Sequence, residues 1–505
     1  MNPLSLLPSD AHNQRLAANV HPAGWVNPPA ASRYNLVVIG AGTAGLVIAA
    51  GAAGLGAKVA LIERDLMGGD CLNFGCVPSK AMIGAARAAA GIRDAGRFGV
   101  RSPGNAEVDF GEVMGRMRRL RADLSVNDSA NRFRSLGVDV FMGDARFSGP
   151  GTVMVGETKL RFRRAAIATG ARAAELPIAG LKEAGYLTNE TVFALTELPR
   201  RIAVIGGGPL GCELAQALRR FGAEVAILEA ASQILIREDR DAAARVERAL
   251  LHDGINLITG CDITSVERRE AGKLIRFTRD GAVGELVVDE IIVGVGRAPA
   301  VTGLNLEAAG VTYDQVTGVA VDDYLRTSNP KIYAAGDICS TFKFTHVADA
   351  MARIVIRNAL FYGRARMSAL TIPWCTYTDP EIAHVGLYQT DANARGFQVK
   401  TFVQDFKEVD RAILDGETDG MMKVIVAAGS DRIVGATIVA SHASEMISEI
   451  TLAIAKGIGL GAIAGVIHPY PTQAEAFRKL GDQYNRTRLT PRVKRIFERW
   501  LAWTR

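Results

Sequence analysis

Residues 35–45 read NLVVIGAGTAG, and residues 201–211 read RIAVIGGGPLG. Each is a β-branched apolar run that enters a G-x-G-x-x-G turn and then an Ala- or Leu-rich helical stretch. A second apolar run follows and ends in Glu. The first copy supplies Gly40, Gly42, Gly45 and Glu63, and the second supplies Gly206, Gly208, Gly211 and Glu229. The same 23 positions separate the first glycine from the Glu in both.

That spacing has a physical reading. The first glycine permits a tight turn, the second lets the backbone approach a pyrophosphate, and the third lets helix and strand pack closely. The helix N-terminus then faces the negative charge. The Glu at the end of the next strand is placed to accept from a ribose hydroxyl. One such turn is a weak signal. Two, each with its strand, helix and Glu, predict two dinucleotide sites. From Tyr34 onward short β-branched runs alternate with Ala- and Gly-rich helical segments, which predicts an α/β chain with parallel sheets and crossover helices.

The rest of the composition bounds the problem. A chain of 505 residues exceeds one core and predicts three or four domains. With 48% hydrophobic and 22% charged residues it reads as a soluble globular protein, and a net charge of +6 gives no reason to expect a nucleic-acid partner. The start, MNPLSLLPSDAHNQ, lacks the basic and apolar regions of a signal peptide, and residues 1 to 32 read as a Pro- and Ala-rich arm outside the first domain. Six scattered cysteines exclude a disulfide scaffold and fit a cytoplasmic enzyme.

Two of those cysteines stand together in GGDCLNFGCVPSK, Gly68 to Lys80. Cys71 and Cys76 admit three readings. A structural zinc needs two more ligands, and no second Cys/His cluster lies nearby, so no structural metal is expected. A passive staple across so short a loop adds little. A redox pair accounts for the neighbours: Pro78 suits the first turn of a helix, Cys76 then lies near its N-terminus where thiolate is favoured, and Lys80 adds a positive charge.

GGDCLNFGCVPSK resembles the redox motif of the class I flavoprotein disulfide reductases, which include glutathione reductase, dihydrolipoamide dehydrogenase and mercuric reductase. The resemblance extends from about Tyr34 to Arg488 through AIATGAR, GVGRAP, YAAGDI and YTDPEIAHVG. It implies an FAD domain in two parts (33–185 and 313–371), an NAD(P) domain (186–312), and an α+β dimerisation domain (372–490) that makes a homodimer. Residues 491–505 are left as a tail. It further implies that the first glycine loop and Glu63 bind FAD, with Ala145 near the adenosine, Thr169 and Gly170 in the AIATGAR segment, Gly296 in GVGRAP, and Asp337 on the ribitol. The second loop and Glu229 would bind NAD(P)H. Cys76 would be the flavin-proximal thiolate and Cys71 the outer thiol, with Lys80 beside the flavin and paired to Glu213. A carboxylate at Glu229 suits a 2′-hydroxyl, and the nearest cation beyond it is Arg237, so NADH is favoured over NADPH.

Departures from the family pattern point to the substrate. Disulfide reductases of the family carry an acid/base His before Pro-Thr, with a Glu three residues on. Here HPYPTQAE puts Tyr470 at that position, followed by Glu475, with His468 two residues earlier. A phenol shuttles protons poorly at neutral pH. Tyr470 resembles mercuric reductase instead, so Hg²⁺ or a related thiol-ligated metal held by Cys71 and Cys76 is the first substrate expected. A disulfide or dihydrolipoamide is the alternative. The C-terminal cysteine pair of mercuric reductase is absent, and Asp70 replaces the usual threonine. The tail RVKRIFERWLAWTR reads as an amphipathic basic helix, either docked on the dimer or touching an anionic membrane surface. The membrane reading motivates a rival assignment, a membrane-associated NADH:acceptor diaphorase.

Overall fold

The computed structural model describes residues 6–101 and 107–505. It divides into two compact units, residues 1–230 with 255–370, and residues 231–254 with 371–505.

The first unit holds both glycine loops. Its main sheet runs in the order Asp139–Met142, Val59–Glu63, Tyr34–Ile39, Thr158–Ile167, all parallel, with Ile332–Ala334 also parallel to the last. The antiparallel strands Thr152–Val155 and Ala145–Gly149 extend the other half of the long Thr158–Ile167 strand. A second sheet, Asn256–Thr259, Glu224–Glu229, Arg201–Ile205, Glu290–Val293, is wholly parallel. Strands buried on both faces explain the near-continuous apolar runs VVI and AVI that open the two motifs.

The N-terminal segment departs from expectation. Residues 1–32 were expected to form an arm outside the first domain, yet Ala11–Val20 is a helix packed into it. Asn13, Leu16 and Val20 share one buried face, and Asp10 caps the helix by accepting from the Asn13 N–H at 2.8 Å. Further along, Trp25 Nε1 donates to Val140 O, and Asn27 pairs with the backbone of Met142 in both directions. The Pro- and Ala-rich composition hid three well-spaced core positions.

The second unit is built on a five-stranded antiparallel sheet ordered Pro373–Thr376, Glu381–Gly386, Ile433–Ala440, Met421–Ala427, Val399–Asp405. Helices Ala443–Lys456 and Glu475–Thr487 contribute to its apolar core. Residues 231–254, expected within the second nucleotide domain, group with this sheet through buried polar chemistry. Lys423 Nζ bridges Asp239 at 2.6 Å and Asp241 at 2.7 Å, while Glu238 accepts from Trp374 Nε1 at 2.8 Å and from Tyr388. His384 stacks on Tyr388 and is fully buried; that burial pushes its imidazole down to about 3, so it stays neutral. The C-terminal helix Pro491–Trp503 has no buried residue. Among the described residues no helix is long and apolar enough to cross a membrane.

Candidate active site

The two glycine loops repeat each other bond for bond. Gly40 N donates to Ile62 O and Ala168 N to Ile39 O; in the second copy Gly206 N donates to Leu228 O and Gly294 N to Ile205 O. A Cβ on Gly45 would stand 1.8 Å from Gly40 O, and one on Gly211 would stand 2.0 Å from Gly206 O. The protein's own backbone therefore demands these third glycines. The second glycines are different: a Cβ on Gly42 or Gly208 would meet nothing closer than 3.8 or 3.9 Å. Packing does not require glycine there, which fits space kept for a pyrophosphate. Glu63 accepts from the N–H groups of Ala41 (2.7 Å) and Asp65 (2.8 Å), and Glu229 accepts from Gly207 N at 2.6 Å. Burial raises the Glu63 carboxyl above its usual range, against those two N–H groups.

The dithiol loop lies on the first of these turns. Gly68 N donates to Ala41 O at 2.8 Å, and a Cβ on Gly69 would stand 2.6 Å from the Gly42 Cα. Both glycines have positive φ, +88° and +57°, so the pair is needed for conformation and for close approach. Cys71 follows on the short helix Gly69–Asn73, and Cys76 opens the long helix Cys76–Asp94. The thiols are free, with no disulfide between them. The neighbouring Cys71 thiol pushes the Cys76 thiol down to about 6. Thr345, whose Oγ1 lies 3.3 Å from Cys76 Sγ, and the Lys80 charge act in the same direction. The neighbouring Cys76, with burial, pushes Cys71 up. Lys80 Nζ pairs with Glu213 Oε2 at 2.7 Å, joining the dithiol helix to helix Pro209–Arg220 behind the second glycine loop. Glu213 is 4% exposed, while the Lys80 side chain keeps 36% of its surface.

With that geometry in view, the relatives are informative. Residues 34–352 match the pyridine nucleotide-disulphide oxidoreductase family, and residues 372–480 match the dimerisation domain of the same family. The chain belongs to this family. It is 34% identical over 445 residues to a mercuric reductase of Lysinibacillus sphaericus, covering 88% of this chain and 81% of the relative. It is also 34% identical over 450 residues to a dihydrolipoyl dehydrogenase of Chlamydia muridarum, covering 88% and 95%. Among solved structures it is similar to the HOCl-induced flavoprotein disulfide reductase RclA from Escherichia coli as its Cu(II) complex. That likeness has a TM-score of 0.77 and 27% identity over 88% of this chain and 99% of RclA. The family is FAD-dependent and uses NAD(P)H, this chain has its α/β architecture, and the dimerisation domain supports a homodimer.

The residues present fit FAD. Asp337, whose carboxyl is raised by burial, has the Arg297 Nε at 3.5 Å, and that buried N–H has no hydrogen-bond acceptor. A buried donor without an acceptor, beside a carboxylate raised by burial, is what a polar ligand group would complete. Gly170 and Gly296 adopt positive φ at +69° and +128°, Gly170 O accepts from Ala300 N, and Thr169 Oγ1 donates to Ala300 O at 3.0 Å. Ala145 begins the antiparallel strand Ala145–Gly149 and packs on the first core.

Tyr470 and Glu475 lie in the second unit. Tyr470 is 70% exposed and donates to Asp410 Oδ2 at 2.9 Å, which raises the phenol further above its ordinary range. Glu475 is buried, pairs with Arg478 at 2.6 Å through Oε1, and its Oε2 has no hydrogen-bond partner. His468 has both ring nitrogens engaged, Nδ1 with Val466 O and Nε2 with Glu449 Oε1 at 3.0 Å.

Sequence reasoning missed Thr345 and the partners of Asp70. Arg297 Nη1 donates to Asp70 Oδ2 at 3.0 Å and Asn189 Nδ2 donates to Asp70 Oδ1 at 2.8 Å. The only sequence signal for this arrangement was the odd Asp in GGDC.

Proposed function

We propose that this oxidoreductase takes two electrons from NAD(P)H, NADH by preference, and delivers them through the Cys71–Cys76 pair to a soft, thiol-ligated metal ion, Hg²⁺ first. Bound FAD would supply the two-electron relay between nucleotide and thiols. Gly42 and Gly208 would admit the two pyrophosphates, Glu63 and Glu229 the riboses, and Asp337 the ribitol. Lys80, fixed by Glu213, supplies positive charge beside Cys76.

The observation that carries the reading is the split between the two thiols. Cys76, pushed down to about 6, favours the thiolate at neutral pH, while Cys71, pushed up, keeps its proton. A thiol–disulfide substrate requires something to take the Cys71 proton. Tyr470, its proton held by Asp410, is ill-suited to that, and His468 is occupied. A soft metal displaces thiol protons on binding and does not need an imidazole. The solved Cu(II) complex of RclA is in keeping with metal chemistry on a protein of this fold.

The test is anaerobic NADH oxidation with thiol-complexed Hg²⁺ as acceptor. Wild type should turn over and Cys76→Ser should not. Failure with Hg²⁺ but turnover with a small disulfide or lipoamide would replace the metal reading. A second reading, a membrane-associated diaphorase, draws on the C-terminal helix, where Ile496, Phe497, Trp500 and Leu501 are exposed beside basic residues. Activity with quinones that survives Cys71→Ser, together with loss of vesicle sedimentation on deleting residues 491–505, would favour it.

A further inference from the structure

The N-terminal helix Ala11–Val20 precedes the family match, which begins at Tyr34, yet it reaches the backbone between the two cysteines through two buried side chains. Arg121 Nη2 donates to Asn13 Oδ1 at 2.7 Å, and Arg121 Nη1 donates to Asn73 O at 2.7 Å. Asn73 ends the short helix that carries Cys71, so its carbonyl is one that a helix terminus leaves without an internal partner. The Asn73 amide donates in turn to Met67 O and Gly69 O, closing the loop on itself. A second tie lies at the loop's entry, where Met67 N donates to Val20 O at 3.1 Å.

Charge makes this arrangement dependent on the N-terminal segment. Arg118 and Arg121 lie one turn apart on the buried face of helix Phe110–Leu124. Burial, with Arg118 beside it, pushes Arg121 down to about 10, and Asp10 opposes that shift. Asp10 also pairs directly with Arg118. A buried guanidinium is costly unless it is hydrogen-bonded and paired. Asp10 and Asn13, both from the N-terminal segment, provide a charge and an acceptor for this one. Asn13 and Asn73 are each almost wholly buried, and Arg121 between them is too.

We propose that the N-terminal helix is a brace for the dithiol loop: Asn13 positions Arg121, and Arg121 fixes the Asn73 carbonyl so that Cys71 stays in register with Cys76. Asn13 and Arg121 are positioning residues. Each closure of the pair joins two sulfurs, releases the one proton held on Cys71 and passes two electrons to the thiol-ligated metal or disulfide substrate. Each opening reverses this, so a loop held at its midpoint returns to the same register every cycle. The proposal rests on the dithiol reading above.

The test uses the full-length, FAD-loaded protein. The Cys71–Cys76 couple is equilibrated against dithiothreitol redox buffers and read by thiol trapping. The NADH:ferricyanide rate, which bypasses the thiols, is measured alongside. Asn13→Ala should lower the exchange constant for disulfide closure about tenfold, the scale of one hydrogen bond to a charged group, and leave the ferricyanide rate unchanged. Asn13→Asp, which keeps the acceptor, should recover most of the loss. Should Asn13→Ala not fold, Arg121→Lys keeps the cation with poorer geometry and serves in its place. An unchanged exchange constant, or one that falls together with the ferricyanide rate, overturns the brace. Thiol-dependent turnover that survives Cys71→Ser would instead overturn the dithiol reading and leave the exchange result standing.

Discussion

The two glycine loops are copies in backbone but not in what covers them. In the first, the carbonyl between the first two glycines, Ala41 O, accepts from Gly68, and the Gly68–Gly69 turn of the dithiol loop packs on Gly42. In the second, the equivalent carbonyl, Gly207 O, accepts from the Cys212 thiol of its own helix, and the nearest atom to a Gly208 Cβ is Gly294 O at 3.9 Å. One nucleotide turn is roofed by the redox loop and the other is not. The difference teaches which site suits a resident cofactor and which an exchanging one. FAD would stay where its reaction partner closes over it, and NAD(P)H would come and go.

The largest effect should come from the third glycines. Gly45→Ala and Gly211→Ala would drive a Cβ into backbone oxygen, a strain beyond the ~1–3 kcal/mol of ordinary overpacking. Both should lose thermal stability, and Gly45→Ala should also release flavin, read by absorbance after gel filtration. Equal flavin loss in both would break the comparison.

The second glycines sharpen it. Neither Gly42→Ala nor Gly208→Ala should perturb the fold. Gly42→Ala should weaken FAD retention about tenfold, or about 1.4 kcal/mol, and Gly208→Ala should raise the NADH KM with flavin retained. Flavin loss from Gly208→Ala would reverse the assignment of the two sites.

A smaller shift belongs to the roof itself. Cys76 alkylation should rise with pH through a midpoint of about 6, because the thiolate is the reactive form. Lys80→Met removes a charge that favours thiolate, so the midpoint should move up and less thiolate should be present at neutral pH. A midpoint that stays put would place the whole effect on Cys71 and Thr345. Smallest of all, Glu229→Ala should narrow the preference for NADH over NADPH by a few-fold, measured as the ratio of kcat/KM values.

Much of the fold was legible because its constraints are local. A turn that needs positive φ and a Cβ-free crossing writes glycine at fixed spacing, and both copies did so. The cysteine pair was legible for the same reason, since Pro78 and the helix after it place Cys76 at a helix start within a few residues. Residues 231–254 were less legible: a crossover helix shows its apolar period but not that its acidic start, Asp239 and Asp241, will meet Lys423. The N-terminal helix was missed because only Asn13, Leu16 and Val20 mark its buried face amid loop-like composition.

The sequence by itself determined the two nucleotide turns with their glutamates and the cysteine pair at a helix start. Each is a short pattern whose geometry follows from bonds along the chain. Tertiary structure alone decided what surrounds the thiols. Cys76 meets Thr345 across 269 positions, Arg297 meets Asp70 across 227, and Asn13 meets Arg121 across 108. Nothing in local conformational preference selects such partners. They meet because parallel strands bring distant loops to one end of a sheet, and because a buried charge tolerates few neighbours.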